Sequence, residues 1–394
     1  MRVVTDEAAT CATCGAATTR RRHARYCSNA CRQRAYRQRA YRQRSTRPAP
    51  PKALDSFVGR DEELHRLVVA GDRARVLTLT GPPGVGKTRL AKELTAELPE
   101  VGWVGLASVS SGDQVPRACA MALGIGEVDG EPVLGTLVRA LAGRALVLVL
   151  DDCDHVVRHC AALLETLLLG CPGVRVVATS REPLRVPGEV LFAVPPLPAA
   201  RAAELFTDRA QAAQLGLRPS HHDPEALNGL CTRLDGLPLA IELAARLTTV
   251  LPVSELLARS DDRLELLNRG NRTAAARHQS LRAAIGWSYD HLDADERHVF
   301  RSLALVPGGF GVDVAVAACG LPADRVLALL SALVSKSLLT SSGAGRFTQL
   351  ESVRLYGRER LAEHRETDAV TARVAGWFAG AGPWRPAAPV RSGR

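Results

Sequence analysis

Val76-Leu77-Thr78-Leu79-Thr80-Gly81-Pro82-Pro83-Gly84-Val85-Gly86-Lys87-Thr88 is the stretch whose reading decides the fold. Five β-prone residues enter a glycine-rich turn that closes on Gly-Lys-Thr. From Lys87 to Leu98 the residues then favour a helix. The turn matches G-x-x-x-x-G-K-[ST] in the context its chemistry needs, after a strand and before a helix. Glycines let backbone N–H groups turn inward onto a β-phosphate, and the helix start adds free N–H groups and its positive dipole end. Lys87 is expected to reach the β- and γ-phosphates and Thr88 to ligate Mg²⁺. Gly81, Pro82, Pro83, Gly84, Val85, Gly86 and Arg89 complete the expected contact surface for ATP or ADP.

Downstream, short β-rich runs alternate with helical stretches. Val101–Ala107 reads as a second strand, Ala145–Leu150 as a strand buried on both faces, His155–Leu169 as a helix and Val174–Thr179 as another buried strand. This order predicts an α/β P-loop NTPase core, a parallel sheet with helices on both faces. Asp151 and Asp152 close the 146–150 run. Asp151 is the expected Mg²⁺ partner through water. Asp152 has two readings, a group orienting an attacking water or an N-cap of the next helix. Arg181, after Thr179-Ser180, either senses a γ-phosphate from a strand end or forms a surface ion pair with Glu182.

The wider chain divides by composition. The core is expected over 54–198, a helical domain over 199–273 and a winged-helix domain over 274–365. The last rests on a Val326–Leu339 helix, the turn Ser341-Ser342-Gly343-Ala344-Gly345 and a strand at Arg346–Leu350. Residues 366–394 end in Gly-Pro-Trp-Arg-Pro-Ala-Ala-Pro-Val-Arg-Ser-Gly-Arg and read as a disordered tail. Only 4% of the 394 residues are aromatic, which suits helical and α/β packing over a many-stranded sandwich. No run approaches the ~20 apolar residues that span a bilayer, and residues 1–30 lack a signal-peptide core. A cytosolic protein with no membrane partner is expected.

The formal charge of +10 is unevenly placed. Residues 1–52 hold 13 Lys and Arg against 2 acidic residues, while the rest of the chain is nearly neutral. The segment 1–45 also spaces Cys11, Cys14, Cys27 and Cys31 as C-x2-C-x12-C-x3-C, a zinc-ligand pattern, with His23 as a substitute ligand. A segment this short needs a metal to fold, so a structural Zn²⁺ is expected. The other six cysteines read as small buried hydrophobes. From Arg32 to Arg44, Arg-Gln-Arg-Ala-Tyr repeats, placing arginines around most of a helix with interleaved tyrosines. That suits phosphate contact and stacking, so DNA is the expected partner of residues 20–47. A solvated or protein-docking arm is the other reading. A proline-bearing linker, 46–53, separates arm from core.

Several motifs in fixed order carry a family resemblance. They are Phe57-Val58-Gly59-Arg60-Asp61-Glu62-Glu63-Leu64, the 81–88 loop, Asp151-Asp152, Thr179-Ser180-Arg181, Gly236-Leu237-Pro238-Leu239, Ser280–Tyr289 and Leu350–Tyr356. Together they resemble the STAND class of signal-transduction ATPases, relatives of the NB-ARC module, and in particular bacterial regulators of the AfsR/LuxR-associated type. The resemblance covers roughly 54–365. It implies an NTPase core, helical domain and winged helix closing over ADP, with Val58, Gly59 and Arg60 near adenine and ribose and Pro238 packed on the base. Leu350-Glu351-Ser352 stands where relatives carry Met-His-Asp, and Glu351 is given no ligand role. The winged helix is expected to pack within the switch rather than read DNA.

These readings combine into a nucleotide-operated, transcription-linked regulator that hydrolyses ATP slowly and contacts DNA through its N-terminal arm. Self-association in the ATP state would instead make it an assembly scaffold whose arm docks on a protein. Nothing in 199–365 resembles an acceptor site of a metabolic kinase.

Overall fold

The computed structural model describes residues 54–213, 223–268, 279–306 and 308–381, together with Cys11, Ser28 and Cys31. Cys14 and Cys27, two of the expected zinc ligands, most of the arginine-rich arm and the linker lie outside the described residues. Cys11 is buried and Cys31 half-buried. Among the described residues no group of three or more His, Cys, Asp or Glu is arranged to hold a metal ion.

The first helix, α1 (Asp61–Arg73), leads into β1 (Val76–Thr80) and α2 (Lys87–Thr95). Then follow β2 (Val101–Gly105), α3 (Val115–Ala122), α4 (Val133–Leu141), β3 (Leu146–Asp151), α5 (Val157–Gly170), β4 (Val174–Thr179) and β5 (Glu189–Ala193). The five strands form one parallel sheet in the order β2-β3-β4-β1-β5. Side-chain alternation splits the strands between two cores. Leu148, Leu150, Val176 and Ala178 face the layer made with α3, α4 and α5. Leu77, Leu79, Val149 and Val177 face the other way, into a core that runs on through the rest of the chain. Helices therefore cover both faces, as the continuous apolar strands require.

The helical region comprises α6 (Ala199–Ala213), α7 (Pro224–Arg233), α8 (Pro238–Leu247), α9 (Val253–Ala258) and α10 (Arg263–Leu266). Proline at the first position of α7 and of α8 loses no intrahelical bond, and Asp223 caps α7 through Glu225 N–H at 3.0 Å.

The winged unit is described together with the helix that leads into it, α11 (Leu281–Asp290), capped by Ser280, and continues with α12 (Ala294–Leu303), which carries a full capping box of Asp293 and Glu296. Next come α13 (Val312–Cys319) and α14 (Ala323–Ser335). The wing pairs β6 (Thr340–Ser341) with β7 (Phe347–Thr348) antiparallel, and α15 (Glu351–Glu363) follows.

One expectation is corrected. In place of the disordered tail expected over 366–394, Thr367–Ala381 forms a helix, α16. Val370 and Val374 are buried, Trp377 and Phe378 pack on the same core, and Arg373 Nε donates to Ala318 O of α13 at 3.0 Å. The spacing 370, 374, 377, 378 is an apolar stripe at helical period, and burying it outweighs the weak propensity of Gly376 and Gly380. Residues 382–394 lie outside the described residues. Among the described residues no single helix is long and apolar enough to cross a membrane.

Candidate nucleotide site

The loop after β1 has the backbone its glycines permit. Gly84 (φ 77°) and Gly86 (φ 97°) stand in the left-handed region, and a Cβ on Gly84 would come within 2.9 Å of Leu239 Cβ. Gly86 opens α2 without any side-chain cap, so no side chain competes for the first-turn N–H groups. Lys87 folds back over the loop, its Nζ donating to Gly81 O at 2.8 Å and Pro82 O at 3.3 Å.

One layer below, the sequence-distant parts meet. Thr88 Oγ1 donates to Asp151 Oδ1 at 2.7 Å, and Thr179 Oγ1 donates to the same oxygen at 2.7 Å. Thr179 in turn accepts from Asp152 N–H at 2.8 Å. Adjacent parallel strands thus fix the Asp151 carboxylate against Thr88. Asp152 (φ 74°) lines the cavity above the loop. Its N-cap reading is overturned, because α5 starts at Val157 behind an N-cap at Val156.

Arg181 corrects a second alternative, the surface pair with Glu182. The side chain is buried and its Nε meets Asp154 Oδ2 at 2.8 Å, while Arg181 N–H donates to Asp154 Oδ1 at 2.7 Å. Burial lowers the Arg181 pKa and the Asp154 charge opposes it. The guanidinium also donates to Ser288 Oγ of α11, and Ser337 Oγ donates to Arg181 O at 2.7 Å. The winged unit therefore grips this arginine from two sides.

A cavity of about 470 Å³ lies over the loop, a volume in the range of small-molecule sites. Pro83 to Arg89, Asp152, Arg181, Val58, Arg60, Pro238 and Ala284 all line it. Core, helical region and winged unit each contribute. Gly59, Gly81 and Pro82 are not in the lining, and Gly59 (φ 74°) packs against Arg201 instead. Arg60 is buried, bonded to Glu63 at 2.9 Å and to Val85 O at 3.1 Å, so it braces the loop from behind. Burial lowers its pKa and Glu63 counteracts.

At the outer end, residues 54–58 cross the cavity as a strap. Arg209 of α6 donates to Ser56 Oγ at 2.8 Å, to Ser56 O at 2.9 Å and to Glu242 Oε1 of α8 at 3.2 Å. From the opposite wall Arg89 donates to Asp55 O at 2.7 Å, with its guanidinium 5.6 Å from the Phe57 ring centroid. Burial raises the pKa of Glu242, against the pull of Arg209. Seven cationic side chains and four carboxylates line the whole cavity, an excess that suits a polyanion. Sequence reading missed Asp154, Arg209, Glu242 and Ser288. Ser288 falls within the 280–289 motif, which gave it no role of its own, and the signals at Arg209 and Glu242 were helical offsets, four residues from Leu205 and from Pro238.

The residue set fits Mg-nucleotide: glycine-turned N–H groups, an uncapped helix start, Lys87, and a Thr88 hydroxyl seated on a carboxylate. When bound, the ion would neutralise phosphate charge, held by Thr88 Oγ1 with Asp151 behind it.

Comparison with known proteins agrees with this geometry. Residues 70–179 match the family described as "AAA domain", and residues 292–362 match "Winged helix-turn-helix domain". The chain thus carries an AAA-type P-loop ATPase domain and a C-terminal winged helix-turn-helix domain. "Uncharacterized protein Rv0894" of Mycobacterium tuberculosis is 36% identical over 333 residues, covering 81% of this chain and 85% of that protein. "Putative HTH-type transcriptional regulator Rv0890c" of the same organism is 39% identical over 304 residues, 75% of this chain. This chain spans only 34% of that relative's length. "Regulatory protein AfsR" of Streptomyces griseus is 29% identical over 361 residues, covering 82% of this chain and 34% of the relative. Among solved structures, the Walker-type ATPase PABY2304 of Pyrococcus abyssi superimposes with a TM-score of 0.55 at 14% identity, over 76% of this chain and 95% of that one. That likeness concerns the fold alone.

Proposed function

The chain belongs to the family of the mycobacterial protein Rv0894, and from that premise we propose that it is an ATP/ADP-operated switch of the STAND type serving a cytosolic transcriptional regulator. The observation that carries this reading is the shared cavity: one space over the phosphate loop is walled by the ATPase core, the helical region and Ala284 of the winged unit. A ligand there touches all three, so a change in its phosphates has a direct route to the winged unit. Lys87 would neutralise the β- and γ-phosphates. Thr88 and Asp151 would hold Mg²⁺, and Asp152 would orient water for a slow hydrolysis. Arg181 would meet the γ-phosphate only after leaving Asp154 and Ser288, which makes it a state sensor rather than a standing ligand. Val58 and Pro238, which line the cavity, would receive the base.

DNA contact is assigned to the arginine-rich arm at 20–47, with Cys11, Cys14, Cys27 and Cys31 holding a structural Zn²⁺. The winged unit supports that division. In a helix-turn-helix the second helix enters the groove. Here that helix is α14, whose exposed face carries Leu327, Ala328 and Ser331. Its cation Arg325 is paired with Asp295, and Lys336 just beyond its end is paired with Glu296. The same neutral face favours the second reading, a nucleotide-dependent assembly scaffold.

Calorimetry with Mg-ADP and Mg-ATP, followed by duplex-DNA binding across a salt series with and without zinc, tests the proposal. Micromolar nucleotide binding and zinc-dependent sequence preference are expected. Absence of nucleotide binding overturns the switch. ATP-driven oligomers that ignore DNA replace the regulator with the scaffold.

A further inference from the structure

Asp235 stands in an unusual place for a non-glycine residue. Its φ is 57°, and Gly236 follows at 62°. This turn sends its carboxylate toward the winged unit, where Asp235 Oδ1 accepts from Glu351 N–H at 2.9 Å and Oδ2 from Ser352 N–H at 2.8 Å. Those are first-turn amides of α15, whose own N-cap residue, Leu350, provides no side-chain cap. Asp235 therefore caps in trans, more than a hundred residues away in sequence. Buried Arg263 stands beside the contact, its Nε donating to Ser260 O at 2.7 Å and its charge acting on both Asp235 and Glu351.

The other end of the same short segment touches the phosphate loop. Gly236 O accepts from Leu197 N–H at 2.8 Å, and a Cβ on Gly236 would come within 2.3 Å of Leu197 O. Leu239 N–H donates to Gly84 O at 3.1 Å, and the Leu239 side chain seats on Gly84. Pro238 fixes the backbone between them. Five residues, 235–239, thus bridge Gly84 and the start of α15 with little slack.

We propose that Asp235 couples the phosphate loop to the winged unit: the position of Gly84 is passed through Leu239 and Pro238 to the Asp235 carboxylate, which holds or frees the first turn of α15. The inference rests on the reading of the cavity as a nucleotide site. At the start of α15 it is the backbone of Glu351 and Ser352 that engages this carboxylate of the helical region.

Hydrogen exchange on the full chain tests this, read at the amides of Glu351 and Ser352 with and without Mg-ADP. In the wild type, ADP is expected to slow exchange there about fivefold, the size of a charged helix cap. Asp235→Gly keeps the positive φ and deletes the carboxylate. It should still bind ADP yet lose that slowing, and release ADP about fivefold faster. Asp235→Asn, which also tolerates this backbone and keeps one acceptor, should fall between, and it decides the matter if the glycine variant does not fold. Wild-type ADP binding with unchanged exchange at 351–352, or full protection retained in the variants, overturns the coupling. No ADP binding by the wild type overturns the nucleotide reading, and the coupling with it.

Discussion

At its phosphate end the cavity is lined chiefly by one continuous run, Pro83–Thr88, with Asp151 held beneath Thr88 from two strands away in the sheet. At its outer end four separated segments supply one or two side chains each: Ser56 from the strap, Arg89 from α2, Arg209 from α6 and Glu242 from α8. Backbone geometry does the work at the first end, and side-chain ion pairs do it at the second. The contrast suggests that phosphate recognition is fixed by the fold, whereas the outer end is held by bonds that can open without disturbing the sheet.

Substitutions at each end can break that contrast. Lys87→Ala should have the largest effect, weakening ADP binding about 1,000-fold by removing a positioned charge from the phosphates. Unchanged affinity by calorimetry would end the site assignment. Arg181→Ala comes next and acts on stability, since it strands the Asp154 carboxylate, whose side chain is only 10% exposed. A loss of about 3 kcal/mol in denaturant unfolding is expected. A loss below about 0.5 kcal/mol would mean that the Arg181–Asp154 pair is open in solution. Arg209→Ala should lower ADP affinity only about tenfold, because the strap loses its clamp while the phosphate loop stays intact. If it matched Lys87→Ala, the two ends would not be separable. The smallest effect concerns thiols. Burial pushes Cys119, Cys231 and Cys319 up to about 12, so at pH 8 they should stay unmodified by a thiol reagent until the protein unfolds. ADP affinity should be unchanged by such treatment.

The same contrast explains what could be read in advance. Gly81–Thr88 and the 146–151 strand announce themselves because their chemistry needs adjacent residues, and all the expected core strands appear within a residue or two. Arg209 and Glu242 drew no reading, since nothing local marks which helical charges meet a partner 33 positions away. Arg181 stands at the expected strand end, and of its two readings the one that fails is the surface pair with Glu182. The true partner, Asp154, belongs to the neighbouring strand's exit loop, and only sheet order brings the two together. Strand β5 went unread because three of its five residues are exposed at a sheet edge, so its apolar run gave no buried-strand signature. Helix α16 was missed for a different reason. The tail reading rests on the proline-rich end, Gly-Pro-Trp-Arg-Pro, and extends back over the apolar stripe that precedes it.

That helix has a practical consequence for anyone preparing fragments. Helix α16 packs on α13, and Val370 and Val374 share a core with Val314, Ala315 and Ala318. A fragment ended at the winged helix-turn-helix match, residue 362, would leave that face of α13 wet as an exposed apolar patch. Insoluble product from such a fragment would reflect the cut rather than the domain. A boundary at Ala381 or later keeps the seal.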